Sequence, residues 1–113
     1  MSLDLWLYVE VDTGRGPFEV TVGEYDFNIT HNVTPMWGEA GVFDALYESN
    51  GDTAEKYLDV LYKGYVDMLN CPEIYKALNP ANGWGTYEGA LEFLRKWIEE
   101  CERHPKAKIQ VCK

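Results

Sequence analysis

Leu3, Leu5, Leu7, Val9 and Val11 alternate with Asp4, Trp6, Tyr8 and Glu10, and an apolar residue at every second position predicts a strand with one buried face. The segment Asp12-Thr13-Gly14-Arg15-Gly16-Pro17 reverses the chain, and Phe18, Val20 and Val22 keep the same period on the way back. Two strands alone are at best marginally stable in water, so a hairpin that opens a chain in this way requires a second layer over its apolar face. Gly23 breaks the phase and predicts a bulge. After it Tyr25, Phe27 and Ile29 resume the apolar face, which leaves Asp26, Asn28 and Thr30 as a polar row on the other.

The covering layer is written in the helical period. Thr34-Pro35 has the form of a helix start, threonine as N-cap and proline at the first helical position, with Met36, Ala40, Phe43 and Tyr47 on one face. Ser49-Asn50-Gly51 is a turn, and Asp52-Thr53-Ala54-Glu55 has the spacing of a capping box. Leu58, Leu61, Tyr62, Tyr65, Met68 and Leu69 form the apolar side of the next helix, which Cys71-Pro72 interrupts. Thr86 caps the last helix, whose stripe runs through Tyr87, Ala90, Leu91, Leu94, Trp97, Ile98 and Cys101 to an end at His104-Pro105. Ala107, Ile109 and Val111 then alternate with Lys108, Gln110 and Cys112 as a terminal strand. The order predicts one α+β domain over 1–113: a small antiparallel sheet, made of the N-terminal hairpin and the C-terminal strand, with about three helices on one face.

Composition narrows the function. The chain has 113 residues, 46% of them hydrophobic, and a formal net charge of −9. A core can form without a metal or a disulfide framework, and the charge disfavours attraction to nucleic-acid phosphate or to anionic lipid. No apolar run approaches the length of a membrane span, and strand-like alternation directly after Met1 leaves no room for a signal peptide. Three scattered cysteines, Cys71, Cys101 and Cys112, form no CxxC or zinc-ribbon spacing and suit a reducing compartment. A cytoplasmic protein with no cofactor is expected, and in the absence of an export signal the two glycosylation sequons at Asn28 and Asn32 carry no weight.

Two loop-to-helix junctions hold the residues suited to chemistry: Asn28-Ile29-Thr30-His31-Asn32-Val33-Thr34-Pro35 and Asn79-Pro80-Ala81-Asn82-Gly83-Trp84-Gly85-Thr86. Asn28, Asn32 and Asn82 each offer a donor and an acceptor, as recognition of a nucleobase or amide edge requires. Gly83 and Gly85 permit close backbone approach, and Trp84 presents a flat ring for stacking. Turn and cap residues of the same types also brace loops, and a buried histidine with satisfied hydrogen bonds is the plain alternative for His31. A metal would draw on Asp26, His31 and Glu39 or Glu24, a set with no diagnostic spacing, so no metal site is expected. His104 completes the last helix as a positive residue at its C-terminal end.

The run Asn28-Ile29-Thr30-His31-Asn32, then Met36 and Ala40-Gly41, and above all the block from Asn79-Pro80 through Asn82-Gly83-Trp84-Gly85 to Thr86-Tyr87-Glu88-Gly89, resemble a family of small uncharacterised proteins found in bacteriophages and some bacteria. The resemblance spans nearly the whole chain and implies a phage or bacterial cytoplasmic protein. It supplies no catalytic residues. The sequence thus points to a binder of a small polar ligand, a nucleotide or nucleotide-derived signal, held by Asn28, His31, Asn32, Asn82, Gly83, Trp84 and Gly85. Its rivals are an inhibitor that sets an acidic surface against a host protein, and a hydrolase with His31 as general base and Asp26 orienting it.

Overall fold

The computed structural model describes residues 1–113 apart from the side chain of Tyr25, so the expectation that Tyr25 shares the buried face lies outside the described residues. Strands β1 (Ser2–Asp12), β2 (Pro17–Thr30) and β3 (Lys108–Cys112) form an antiparallel sheet in the order β2-β1-β3. The alternation sets the faces: Leu3, Leu5 and Leu7 are fully buried, and their cross-strand neighbours Phe27 and Ile109 close the same face. Ser2, Asp4 and Asn28 point the other way.

The bulge falls where Gly23 predicts it. Leu5 pairs with Phe27 but Leu7 pairs with Val22, so residues 23–26 stand against Trp6 alone. The extra residues are seated on Glu100, which is 1% exposed and accepts a 2.6 Å hydrogen bond from the N–H of Glu24. Gly23 has φ +65°, an angle that other residues adopt only with strain, and a Cβ there would lie 2.6 Å from a Glu100 carboxylate oxygen, so a side chain at this position would displace that carboxylate.

Among the described residues five α-helices form the second layer, α1 (Thr34–Ala40), α2 (Phe43–Tyr47), α3 (Leu58–Asn70), α4 (Pro72–Lys76) and α5 (Tyr87–Arg103), with α5 against β2 and α3 packed on α5. Three of them reach seven residues or more. Helix α5 is the central one, burying Ala90, Leu94, Trp97 and Cys101, and Trp97 meets Phe27 edge-on with ring centroids 5.1 Å apart. Burial also pushes the Cys101 thiol up to about 12, which keeps it protonated and inert. Thr86 caps α5 as its position predicts, accepting from the N–H of Gly89 at 3.0 Å.

Other local readings need correction. Thr34 is not an N-cap: a 3-10 turn over His31–Val33 precedes α1, and Thr30 caps that turn by accepting from the N–H of Asn32 at 3.2 Å. The apolar face from Met36 to Tyr47 is broken at Gly41 into two short helices, and Phe43 is exposed. Asp52 and Glu55 form no capping box: the N–H of Glu55 donates to the Pro105 carbonyl at 3.0 Å and Asp52 accepts from the Tyr57 hydroxyl, because a 3-10 turn over Ala54–Tyr57 precedes α3. On α3 the buried positions are Leu61, Gly64 and Met68, while Tyr62 and Leu69 are exposed.

The sheet outruns its cover. The molecule measures 54 Å along its long axis against 27 and 19 Å across. Strand β3 pairs with β1 only from Asp4 to Tyr8, so the hairpin beyond Tyr8 has neither a third strand nor buried side chains.

Candidate functional site

The two junctions meet. Gly85, at φ +109°, brings the second loop against the first, and a Cβ in its place would lie 2.8 Å from Val33 Cγ1 and 2.9 Å from Thr30 Cγ2. Between the junctions lies a cleft of about 440 Å³, lined by Ser2, Asn28 and Thr30 from the sheet, His31 and Asn32 from the 3-10 turn, and Trp84 from the loop, with Met1 at its edge. Its size falls within the range of small-molecule sites.

The strand-side wall is tied to its surroundings at Asn28 and at His31. Asn28 Nδ2 donates to Ser2 Oγ at 2.9 Å and to Asp4 Oδ1 at 2.8 Å, which engages both amide hydrogens and leaves the carbonyl oxygen as an acceptor. The N–H of His31 donates to the Met1 carbonyl at 3.3 Å. His31 Nδ1 lies 2.7 Å from the hydroxyl of Tyr47 on α2. Burial pushes Tyr47 up to about 12, so its phenol stays protonated at neutral pH. A phenol donating to Nδ1 places the proton of a neutral His31 on Nε2, and the same oxygen can accept from Nδ1–H of the imidazolium.

The loop-side wall closes on itself. Asn82 Oδ1 accepts from the N–H of Trp84 at 3.0 Å, and the N–H of Gly83 donates to the Pro80 carbonyl at 3.2 Å. Asn79 Oδ1 accepts from the N–H of Tyr87 at 2.8 Å and fixes the loop to the start of α5. Trp84 remains 72% exposed, its indole turned to solvent.

Of the seven residues marked in the sequence, Asn28, His31, Asn32 and Trp84 therefore share one cleft. Asn82, Gly83 and Gly85 are outside its lining: the first two shape the turn and Gly85 packs beneath it. Tyr47, Ser2 and Asp4 are the participants that sequence reasoning missed. Ser2 and Asp4 stand in register with Thr30 and Asn28, so strand pairing of the two polar rows was the available signal. Tyr47 carries none, being sixteen residues from His31 on a helix reached through tertiary packing. Asp26 does not pair with His31 Nδ1, whose partner is Tyr47, and lies instead in an adjoining cleft of about 270 Å³ with Glu24, Glu92 and Lys96, where Asn28 is the shared wall.

Among the described residues no three His, Cys, Asp or Glu side chains converge as a metal site would require, and no helix is long and apolar enough to cross a membrane. Comparison of the chain with protein-family models, curated proteins and solved structures found no match.

Proposed function

We propose that this protein binds a small polar ligand carrying a flat heteroaromatic ring, a nucleotide or nucleotide-derived molecule, and that it is of phage or bacterial origin as its sequence resemblance implies. The observation that carries the reading is the convergence of an exposed Trp84 with Asn28, His31 and Asn32 in one cleft built from two separate segments. A ring would stack on Trp84, an interaction worth about 1–3 kcal/mol per base in nucleic-acid binders. The Asn32 side chain and the free carbonyl of Asn28 would read the ring's edge, and His31 would contribute its Nε2 while Tyr47 fixes its orientation.

Mass spectrometry of small molecules released from the denatured protein identifies a ligand that co-purifies. In parallel, thermal unfolding with a panel of nucleosides and nucleotides should show a raised midpoint for the wild type, because a ligand bound only by the native state stabilises it. Trp84→Ala should remove that rise. A wild-type midpoint that no member of the panel moves overturns the reading.

A second reading, contact with a basic site on a host protein, draws on the uncovered end of the hairpin. Phe18 is 50% exposed and Val20 38% exposed on one face, while Glu10 and Glu19 face each other across the reverse. Capture of a host protein that is lost at high salt and lost in a Glu10→Lys, Glu19→Lys variant would favour it.

A further inference from the structure

We propose that the Trp84 cleft takes its ligand in uncharged or cationic form, as a nucleobase or nucleoside, and discriminates against the phosphorylated nucleotide; this rests on the ligand-binding reading above and narrows it. The lining supplies hydroxyl, amide, imidazole and indole groups, and none of its side chains is a lysine or arginine. The side-chain charge that borders it is mostly negative. Asp4 holds Asn28 at 2.8 Å, and behind Asn28 the adjoining cleft carries Glu24, Asp26 and Glu92 with Lys96, Glu92 being paired with Arg95 as well.

Phosphate recognition works through guanidinium or ammonium groups, or through several backbone N–H groups aimed at the anion. Three backbone donors around this cleft are engaged: the N–H of Asn32 by Thr30, that of His31 by Met1, that of Trp84 by Asn82. A phosphate would have to shed part of its hydration beside carboxylates, without a fixed cation in return. A neutral ring meets the opposite situation. The Asn28 carbonyl, held in place because its amide is anchored to Ser2 and Asp4, is an acceptor for a ring amino group, and the nearby carboxylates strengthen that preference for N–H donors.

Isothermal titration calorimetry of the full chain with adenosine, guanosine, cytidine and uridine, and with the 5′-monophosphate of each, tests this at low and at high salt. A nucleoside that binds should bind about fivefold more tightly than its monophosphate at low salt, the factor that two like charges about 4 Å apart give through water-like screening. The ratio should fall towards one as salt screens the carboxylates. Asp26→Asn, in the adjoining cleft and outside the lining of this one, should narrow the ratio at low salt while leaving nucleoside affinity within about twofold. A monophosphate that binds as tightly as its nucleoside, or more tightly, overturns the proposal while the ligand-binding reading stands. If neither form binds, that reading fails and this one with it.

Discussion

The two walls of the cleft use the same residue types to opposite ends. On the strand side, Asn28 and His31 connect outside their own segment, to β1 and to Tyr47 on α2, while Thr30 bonds locally to Asn32. On the loop side, Asn82 and Gly83 bond within five residues of themselves, and only Gly85 reaches across. Asparagine and glycine therefore mean tertiary wiring at one junction and local turn closure at the other. A side chain on a wired wall has a stability role whether or not it binds anything, whereas Trp84, with most of its surface in water, has none that the structure supplies. The stability cost of each substitution measures which wall it belongs to.

The largest effect tests whether the strand-side wall rests on the core. Trp97 is fully buried and packs on Phe27, the residue before Asn28. Trp97→Ala should cost about 3–5 kcal/mol in urea unfolding, the range for deleting a buried large aromatic. A loss below about 1 kcal/mol would detach the wall from the core and break the comparison. Gly85→Ala comes next. It sets a non-glycine at positive φ and drives a methyl into Val33 and Thr30, and strain and overpacking together should cost about 2–4 kcal/mol. A neutral outcome would mean that the loop swings away freely, and that the two walls share no boundary.

What the sequence revealed follows from how locally each feature is encoded. The alternation from Leu3 to Leu7, the bulge at Gly23 and the stripe of α5 depend on periods and on one backbone angle, and all three are present in the fold; beyond Leu7 the burial pattern breaks, with Tyr8 buried and Val9 and Val11 only partly so. The Thr34 cap and the single helix through Phe43 and Tyr47 failed because Thr30 offers a competing cap four residues earlier, and because Gly41 stops the helix before the pattern does. The meeting of the two junctions was legible as shared composition. The partners were not: Tyr47 comes to His31, and Glu100 to the bulge, only through packing between distant segments.

A smaller effect sharpens the strand side. Tyr47→Phe removes the hydroxyl beside His31 Nδ1 and should cost about 1 kcal/mol near neutral pH. It should also change the alkaline limb of stability. Tyr47 is raised from 10 to about 12 by burial, and Tyr57 to about 12 chiefly by its hydrogen bond to Asp52. A folded value above the unfolded one stabilises the protein fully below the unfolded value, so stability should be flat up to about pH 10 and fall as pH rises towards 12. Tyr47→Phe should make that fall shallower, by on the order of 2 kcal/mol at its upper end. An unchanged slope in urea midpoints measured between pH 8 and 11.5 would show that the Tyr47 hydroxyl is not held in the folded state.

The smallest stability effect belongs to Trp84, and its smallness is what the comparison requires. The indole is 72% exposed, its backbone N–H is bonded to Asn82 Oδ1 and does not depend on the side chain, and the contact that joins the loop to the strand is made by Gly85. Trp84→Ala should therefore shift unfolding of the ligand-free protein by less than about 0.5 kcal/mol, the range of surface substitutions that touch no structural feature. Collisional quenching separates this ring from the buried Trp37 and Trp97 and the partly exposed Trp6: the variant should lose the most readily quenched fraction of the wild-type tryptophan emission. If Trp84→Ala instead costs more than about 1.5 kcal/mol, the ring braces the loop, the second wall is wired like the first, and an exposed stacking surface is no longer the simplest account of a tryptophan between two glycines.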